Sequence, residues 1–161
     1  MSSGGHDVER LDRLAQEQTV PALLGATAEL LVEELAATAC TISRAIGDLL
    51  VDLVDHSPGG PVQAAHSYLI SDFPLTQAVL DNGMPQRVWL EDAEADPSES
   101  ALMRRLGFDS LLLLRLDCDA KPWGLIEVYD NRAGGFRSEH LERAQTIVES
   151  ASLELSRLSS R

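Results

Sequence analysis

Aromatic residues make up only 4% of this 161-residue chain, cysteines number two, and Lys plus Arg number 13 against 26 Asp plus Glu. Each scarcity excludes something. Two isolated cysteines, Cys40 and Cys118, cannot supply a disulfide framework or a Cys-rich zinc site, and both read as small hydrophobes at strand positions. With a net charge of -13 and a pI ≈ 4.5, the surface repels phosphate backbones and anionic lipid headgroups, so neither nucleic acid nor membrane is an expected partner. No apolar run approaches the roughly 20 residues that span a bilayer. The polar start MSSGGHDVER has neither the basic nor the apolar region of a secretory signal. The cytoplasm is the expected location.

What is present is an apolar content of 44%, enough in a chain of this length for one core with layers on both faces of a sheet. Residues 1–20 read as a narrow amphipathic helix for signalling or dimerisation, and 21–161 as the main domain. Pro21 opens a second helix whose Leu23, Leu24, Thr27, Leu30, Leu31 and Leu35 make a broad apolar face. From Ala37 the period changes towards two: ATACTISRAI and LLVDLVDHS flank Gly47-Asp48 as a hairpin, and AHSYLIS follows as a third strand. PLTQAVLDNG reads as a short helix ended by Gly83, QRVWLED as a strand, and ALMRRLG as a helix capped by Ser98 or Ser100. SLLLLRL is too short for a core helix and fits a strand buried on both faces; WGLIEVYD is its hairpin partner. Leu141, Ala144, Val148, Ala151, Leu155 and Leu158 alternate spacings of three and four, a coiled-coil-like seam on a helix expected to run past the compact domain. The order predicts an α+β fold, with an antiparallel sheet of about six strands, terminal helices on one face and short helices on the other.

Catalytic patterns do not emerge. There is no Ser-His-Asp order in a nucleophile-elbow context, no phosphate loop and no Cys-His signature, so the chain is not expected to be an enzyme. The four histidines show no metal-ligand spacing. The acidic loop EDAEADPSES lacks the glycine and ligand spacing of a calcium loop and reads as solvated.

The strings SDFPLTQAVLDNGMPQRVWLED, LMRRLGFDSLLLLRL, KPWGLIEVYD and FRSEHLERAQTIVESASLEL, in this order and spacing, resemble the GAF domain, a small-molecule sensing module of signalling proteins, in a style similar to actinobacterial sensors. The resemblance covers roughly residues 21–158. Arg115 stands where family members commonly have a proline, which leaves the local hairpin geometry open. The cyclic-nucleotide signature of some members is matched only loosely by Asn131-Arg132 and Phe136 and is broken at Glu139-His140, so a cyclic nucleotide is not implied. Other members bind haem through histidine, which would make His66 an axial ligand or else a surface residue at a strand edge. Members that reduce free methionine sulfoxide use clustered cysteines, a pattern Cys40 and Cys118 do not resemble. No cofactor is identified.

The resemblance implies a ligand cavity between the sheet and the short helices. On WGLIEVYD, Trp123, Leu125, Glu127 and Tyr129 share one face by alternation, and Gly124, Ile126 and Val128 the other. Glu127 is then either a ligand acceptor in the cavity or a carboxylate paired or solvated at the sheet rim. Tyr68, Asp72, Phe73, Trp89 and Ser110 fall on segments that border the pocket in the family, and aromatics among them read equally as core. Met103 and Leu106 would belong to a movable lid, with Arg104 as an anion contact or an exposed surface residue. The expected function is sensory, with the signal relayed through terminal helices that pair in a homodimer along Leu11, Leu141, Ala144, Val148, Ala151, Leu155 and Leu158. Two alternatives stand: a dimerisation module whose pocket is filled by its own side chains, and a thiol-based redox enzyme using Cys40 or Cys118.

Overall fold

Apolar side chains at successive positions need two interiors, and the two strands richest in them lie side by side within the sheet. The structure, a computed structural model, describes residues 3–60 and 67–160. Along them run α1 (Ser3–Ala15), α2 (Val20–Leu35), β1 (Ala39–Ile46), β2 (Leu49–His56), β3 (Ser67–Leu69), α3 (Pro74–Asn82), β4 (Gln86–Trp89), α4 (Pro97–Leu106), β5 (Ser110–Cys118), β6 (Lys121–Asp130) and α5 (Ser138–Ser159). The strands form one antiparallel sheet in the order β3-β2-β1-β6-β5-β4. The fold is α+β, as the element order implies. The part of AHSYLIS before Ser67, including His66, lies outside the described residues.

On β5, Leu112, Leu114 and Leu116 point to the core under α2 and α5, while Leu111 and Leu113 point to a second core under α3 and α4. β6 divides likewise, with Ile126 and Val128 on the first side and Leu125 and Tyr129 on the second. Trp123 departs from that alternation and packs with the terminal-helix core. The cause is a register shift: Leu116 pairs with Gly124 but Asp117 with Pro122, so Trp123 is the extra residue of a bulge. At Gly124 the backbone of β1 comes so close that a Cβ would sit 2.2 Å from the Ser43 carbonyl oxygen. Only glycine fits there.

α2 begins at Thr19, whose Oγ1 accepts a hydrogen bond from the Ala22 amide at 3.2 Å, and ends at Ala36 in the left-handed region. Its Leu23, Leu24, Leu30, Leu31 and Leu35 are all buried. α4 starts earlier than expected: the cap is Asp96, accepting from the Glu99 amide at 3.0 Å, not Ser98 or Ser100.

The seam on α5 is occupied within the chain. Ala144, Val148, Ala151, Leu155 and Leu158 are buried against the sheet and α2, Leu141 is half-buried beside them, and Leu11 of α1 packs on the same cluster. A three-four repeat serves a helix lying on a sheet as well as one pairing with another helix, and here the sheet takes it. Nor does α5 leave the domain. Ser152 Oγ accepts from the Asp117 amide at 3.0 Å and Ser156 Oγ from the Asp119 amide at 2.8 Å, tying its last turns to the β5–β6 hairpin.

Truncating Leu155, fully buried in this cluster, to alanine is expected to cost about 2–5 kcal/mol. Urea denaturation at two protein concentrations checks this; a loss that grows on dilution would place the residue in an intermolecular contact instead.

Candidate functional site

The face of the sheet beneath α3 and α4 is not uniformly apolar. Thr41 and Ser43 alternate with the apolar Cys40 and Ile42 of β1, and both hydroxyl residues are buried. Thr41 pairs in register with Glu127. Ser43 donates to Asp52 of β2 at 2.7 Å. Glu127, 4% exposed near the middle of β6, accepts a 2.5 Å hydrogen bond from the Tyr129 hydroxyl and another from Thr41. Above it α4 contributes Glu99, 1% exposed, which accepts at 2.5 Å from Thr76 of α3.

Both carboxylates line one small cavity of about 10 Å³, together with Leu50, Tyr68, Phe73, Thr76, Leu102 and Leu125. That is about the room one water needs. Tyr68 and Phe73 meet edge to face at 5.6 Å, forming its aromatic side. Larger concavities lie elsewhere: a groove of about 420 Å³ between β5, the α3–β4 link and the outer face of α5, and another of about 310 Å³ between α1, α2 and α5. Neither has a buried polar residue among those lining it.

The electrostatics single out the small cavity. Burial pushes Glu127 up to about 8, with Glu99 and Asp52 adding to the rise and the Tyr129 and Thr41 hydrogen bonds opposing it. Burial likewise raises Glu99 to about 6, opposed by Thr76 and reinforced by Asp96. At neutral pH Glu127 is therefore mostly protonated and Glu99 mostly ionised. Tyr129 is held well above the usual phenol range by burial and by Glu127.

Of the residues expected at the pocket, Tyr68, Phe73 and Glu127 line the cavity. Glu127 is buried and hydrogen-bonded, not solvated at a rim. Met103 and Leu106 pack in the core beneath α4, away from the cavity lining. Asp72 is exposed in the 3-10 turn Ile70–Asp72, Trp89 stacks its side chain over Gly135, and the Ser110 hydroxyl is turned to Asp109 at 2.6 Å. Those three lie outside the lining as well. Arg104 is exposed.

Sequence reading missed Thr76 and Glu99. Glu99 looked like part of the acidic loop, but with Asp96 as cap it shares the spacing Glu99, Leu102, Met103, Leu106 of one helix face. Among the described residues no group of three or more His, Cys, Asp or Glu could hold a metal ion, and no helix is long and apolar enough to cross a membrane. Cys40 is fully buried and its thiol is pushed far up by burial, which suppresses the thiolate that redox chemistry requires.

One further cluster binds the strand to its neighbours. Arg132, just past β6, donates to Asp130 at 2.5 Å and to the Leu35 carbonyl at 2.7 Å at the end of α2. Its guanidinium lies 4.3 Å from the Phe136 ring centre and beside His140 of the first turn of α5. The His140 Nδ1 accepts from the Arg137 amide at 2.9 Å and caps that helix. Arg115 pairs in register with Leu125 just before the bulge; it donates to Asp117 at 2.7 Å and to the Leu80 carbonyl at 3.1 Å, holding the end of α3 to β5.

A family model described as GAF domain matches residues 19–155. The chain belongs to the GAF domain family. Among solved structures, the bacteriophytochrome RpBphP3 from R. palustris superposes with a TM-score of 0.84 at 12% identity, over 99% of this chain and 39% of that one. The phycoerythrobilin-bound GAF domain of a cyanobacterial phytochrome matches with a TM-score of 0.81 at 12% identity over 96% of both chains, and a phycocyanobilin-bound one with 0.81 at 14%. At these identities the likeness is one of fold. No curated protein sequence matches the chain.

The raised carboxyl of Glu127 gives stability a definite pH dependence. Its folded value near 8 lies above the ordinary 4.5, so its contribution is complete below pH 4.5 and is lost as pH rises through about 8. Unfolding free energy is expected to fall by a few kcal/mol across that window. Glu127→Gln should remove most of the fall, leaving the smaller Glu99 slope between 4.5 and about 6. Chemical denaturation of both proteins between pH 4 and 9 checks it, and parallel curves would refute the assignment.

Proposed function

We propose that this GAF domain is a non-enzymatic sensory module that binds a small molecule at the Glu99–Glu127 cavity and relays occupancy through its terminal helices. The observation that carries the reading is the placement of two buried carboxylates and several hydroxyls on an otherwise apolar sheet face, beneath two short helices. A polar interior of this kind costs stability and serves recognition. That solved GAF domains of similar fold are bilin-bound supports small-molecule binding as the class of function. A cavity of about 10 Å³ is far below the volume of such a tetrapyrrole, so a much smaller ligand is favoured here.

The relay follows the chain. Glu127 and Tyr129 on β6 lie only a few residues before Arg132, which holds the end of α2 and the start of α5. Movement of β6 or α4 on binding changes the seating of both helices. Pairing of two cytoplasmic copies through α1 and α5 would convert that change into an output. Because the inner seam is buried, the pairing face would include exposed groups such as Leu153, 73% exposed on α5.

The near-filled cavity favours a second reading, a dimerisation module whose pocket its own side chains occupy.

Native mass spectrometry after incubation with a small-metabolite extract separates the two. The sensor reading expects one added small mass per chain, lost in Leu102→Phe, which fills the cavity. A wild-type protein that gains no mass would leave the dimerisation module. Either reading expects twice the 17.5 kDa chain mass, reduced to one chain in Leu153→Glu; a monomeric wild type would remove the pairing.

A further inference from the structure

Glu99 and Glu127 face the same cavity without a counter-cation. Among the described residues neither forms an ion pair, and the charges that act on them are acidic: Asp96 at the start of α4 on Glu99, and Glu99 and Asp52 of β2 on Glu127. The hydroxyls around them come from Thr76 of α3, Thr41 of β1 and Tyr129 of β6. Glu99 accepts from Thr76 at 2.5 Å and, like Glu127, is buried and lines the cavity. Two buried carboxylates in one cavity with no ion-pair partner call for a cation.

We infer that the cavity receives the ammonium head of a small protonated amine, held between Glu99 and Glu127 with the aromatic side chains of Tyr68 and Phe73 alongside. The chemistry of the walls fits such a head. An ammonium has three N–H donors and no acceptor, which suits two carboxylates; a neutral ligand would leave the charge uncompensated, and an anion would add to it. Aromatic rings attract cations as well as packing against alkyl groups. The volume matches the head alone. Any alkyl tail would need room beyond this volume, at the expense of apolar lining residues such as Leu102.

Binding carries a proton stoichiometry. The empty site compensates its missing positive charge by keeping a proton on Glu127; the ammonium replaces it, and one proton leaves for solvent. Affinity therefore rises roughly tenfold per pH unit below about 8 and levels off above, where Glu127 is already ionised. Simple alkylamines, with a pKa comparable to that of Lys near 10.4, stay protonated throughout.

This inference rests on the pocket reading above. The test is a titration of ¹⁵N-labelled full chain with methylammonium chloride, followed by amide shifts and run at pH 6.5 and 8.5. Tetramethylammonium chloride serves as a cation without N–H donors, sodium chloride as the ionic-strength control, and sodium acetate as an anion. A ligand of two non-hydrogen atoms binds with a Kd on the order of 10 mM at best. Saturable shifts at Thr76, Glu99 and Glu127 are expected with methylammonium at pH 8.5, weakened at least tenfold at pH 6.5 and abolished in Glu99→Gln and in Glu127→Gln. Both variants keep the side-chain shape, and their amide spectra report whether they are folded. Equal response to tetramethylammonium, retained binding in the folded Gln variants, or no saturable shift with methylammonium overturns the inference. A neutral or anionic ligand found in the metabolite experiment and excluded by Leu102→Phe would also overturn it while leaving the pocket reading intact. The absence of any ligand in both experiments removes the two together.

Discussion

Everything in this fold is arranged around a strand that has no free side. β6 is hydrogen-bonded to β1 along one edge and β5 along the other, and its two faces form the floors of two separate interiors. A side chain on such a strand has only two places to go, and a polar one must find partners where it lands. Ile126 and Val128 meet the helices α2 and α5, where apolar packing completes the core. Glu127 lands in the opposite interior, where it recruits the Tyr129 hydroxyl and Thr41 and shares a cavity with Glu99. The position of the candidate site is thus a consequence of strand parity.

The same strand joins the two interiors mechanically. Its C-terminal end leads directly to Arg132, whose five donors are spread over Asp130, the last carbonyls of α2 and the neighbourhood of His140. Burial and the adjacent Arg132 together lower the His140 basicity, which keeps the ring neutral and able to cap α5. Hydrogen-bonded junctions of this kind have few alternative arrangements. Under the proposed sensory function, this junction is the route by which a displacement of β6 would reach both helices.

Much of this was legible in the residues. The period change at Ala37 and the three-four repeat from Leu141, together with Gly47, Gly83 and Gly107, marked the elements in their observed order, because turn chemistry and burial both leave local signatures. The two-sided burial of SLLLLRL followed from its unbroken apolar run. What the sequence could not separate was equivalence of pattern. The α5 repeat suits a sheet as well as a second helix, and only the three-dimensional neighbourhood of Ala144 and Ala151 distinguishes them. Trp123 was misplaced because a single extra residue opposite Leu116 and Asp117 resets the alternation without any local sign. Glu99 was hidden by its acidic neighbours, although its spacing to Leu102 and Met103 held the information. The Glu99–Glu127 juxtaposition joins residues 28 positions apart on different elements, a relation no local pattern encodes.

The water-sized cavity has a kinetic meaning. A space with room for one water is too small for an organic molecule, so binding of any such ligand would require the residues around it to move apart. The fraction of molecules open at a given moment multiplies the intrinsic affinity, and at high ligand concentration the approach to equilibrium runs no faster than the protein opens. The packing of Leu102 against its neighbours would then act as a clock on the response, with dose governing how many molecules switch and the closed core governing how soon.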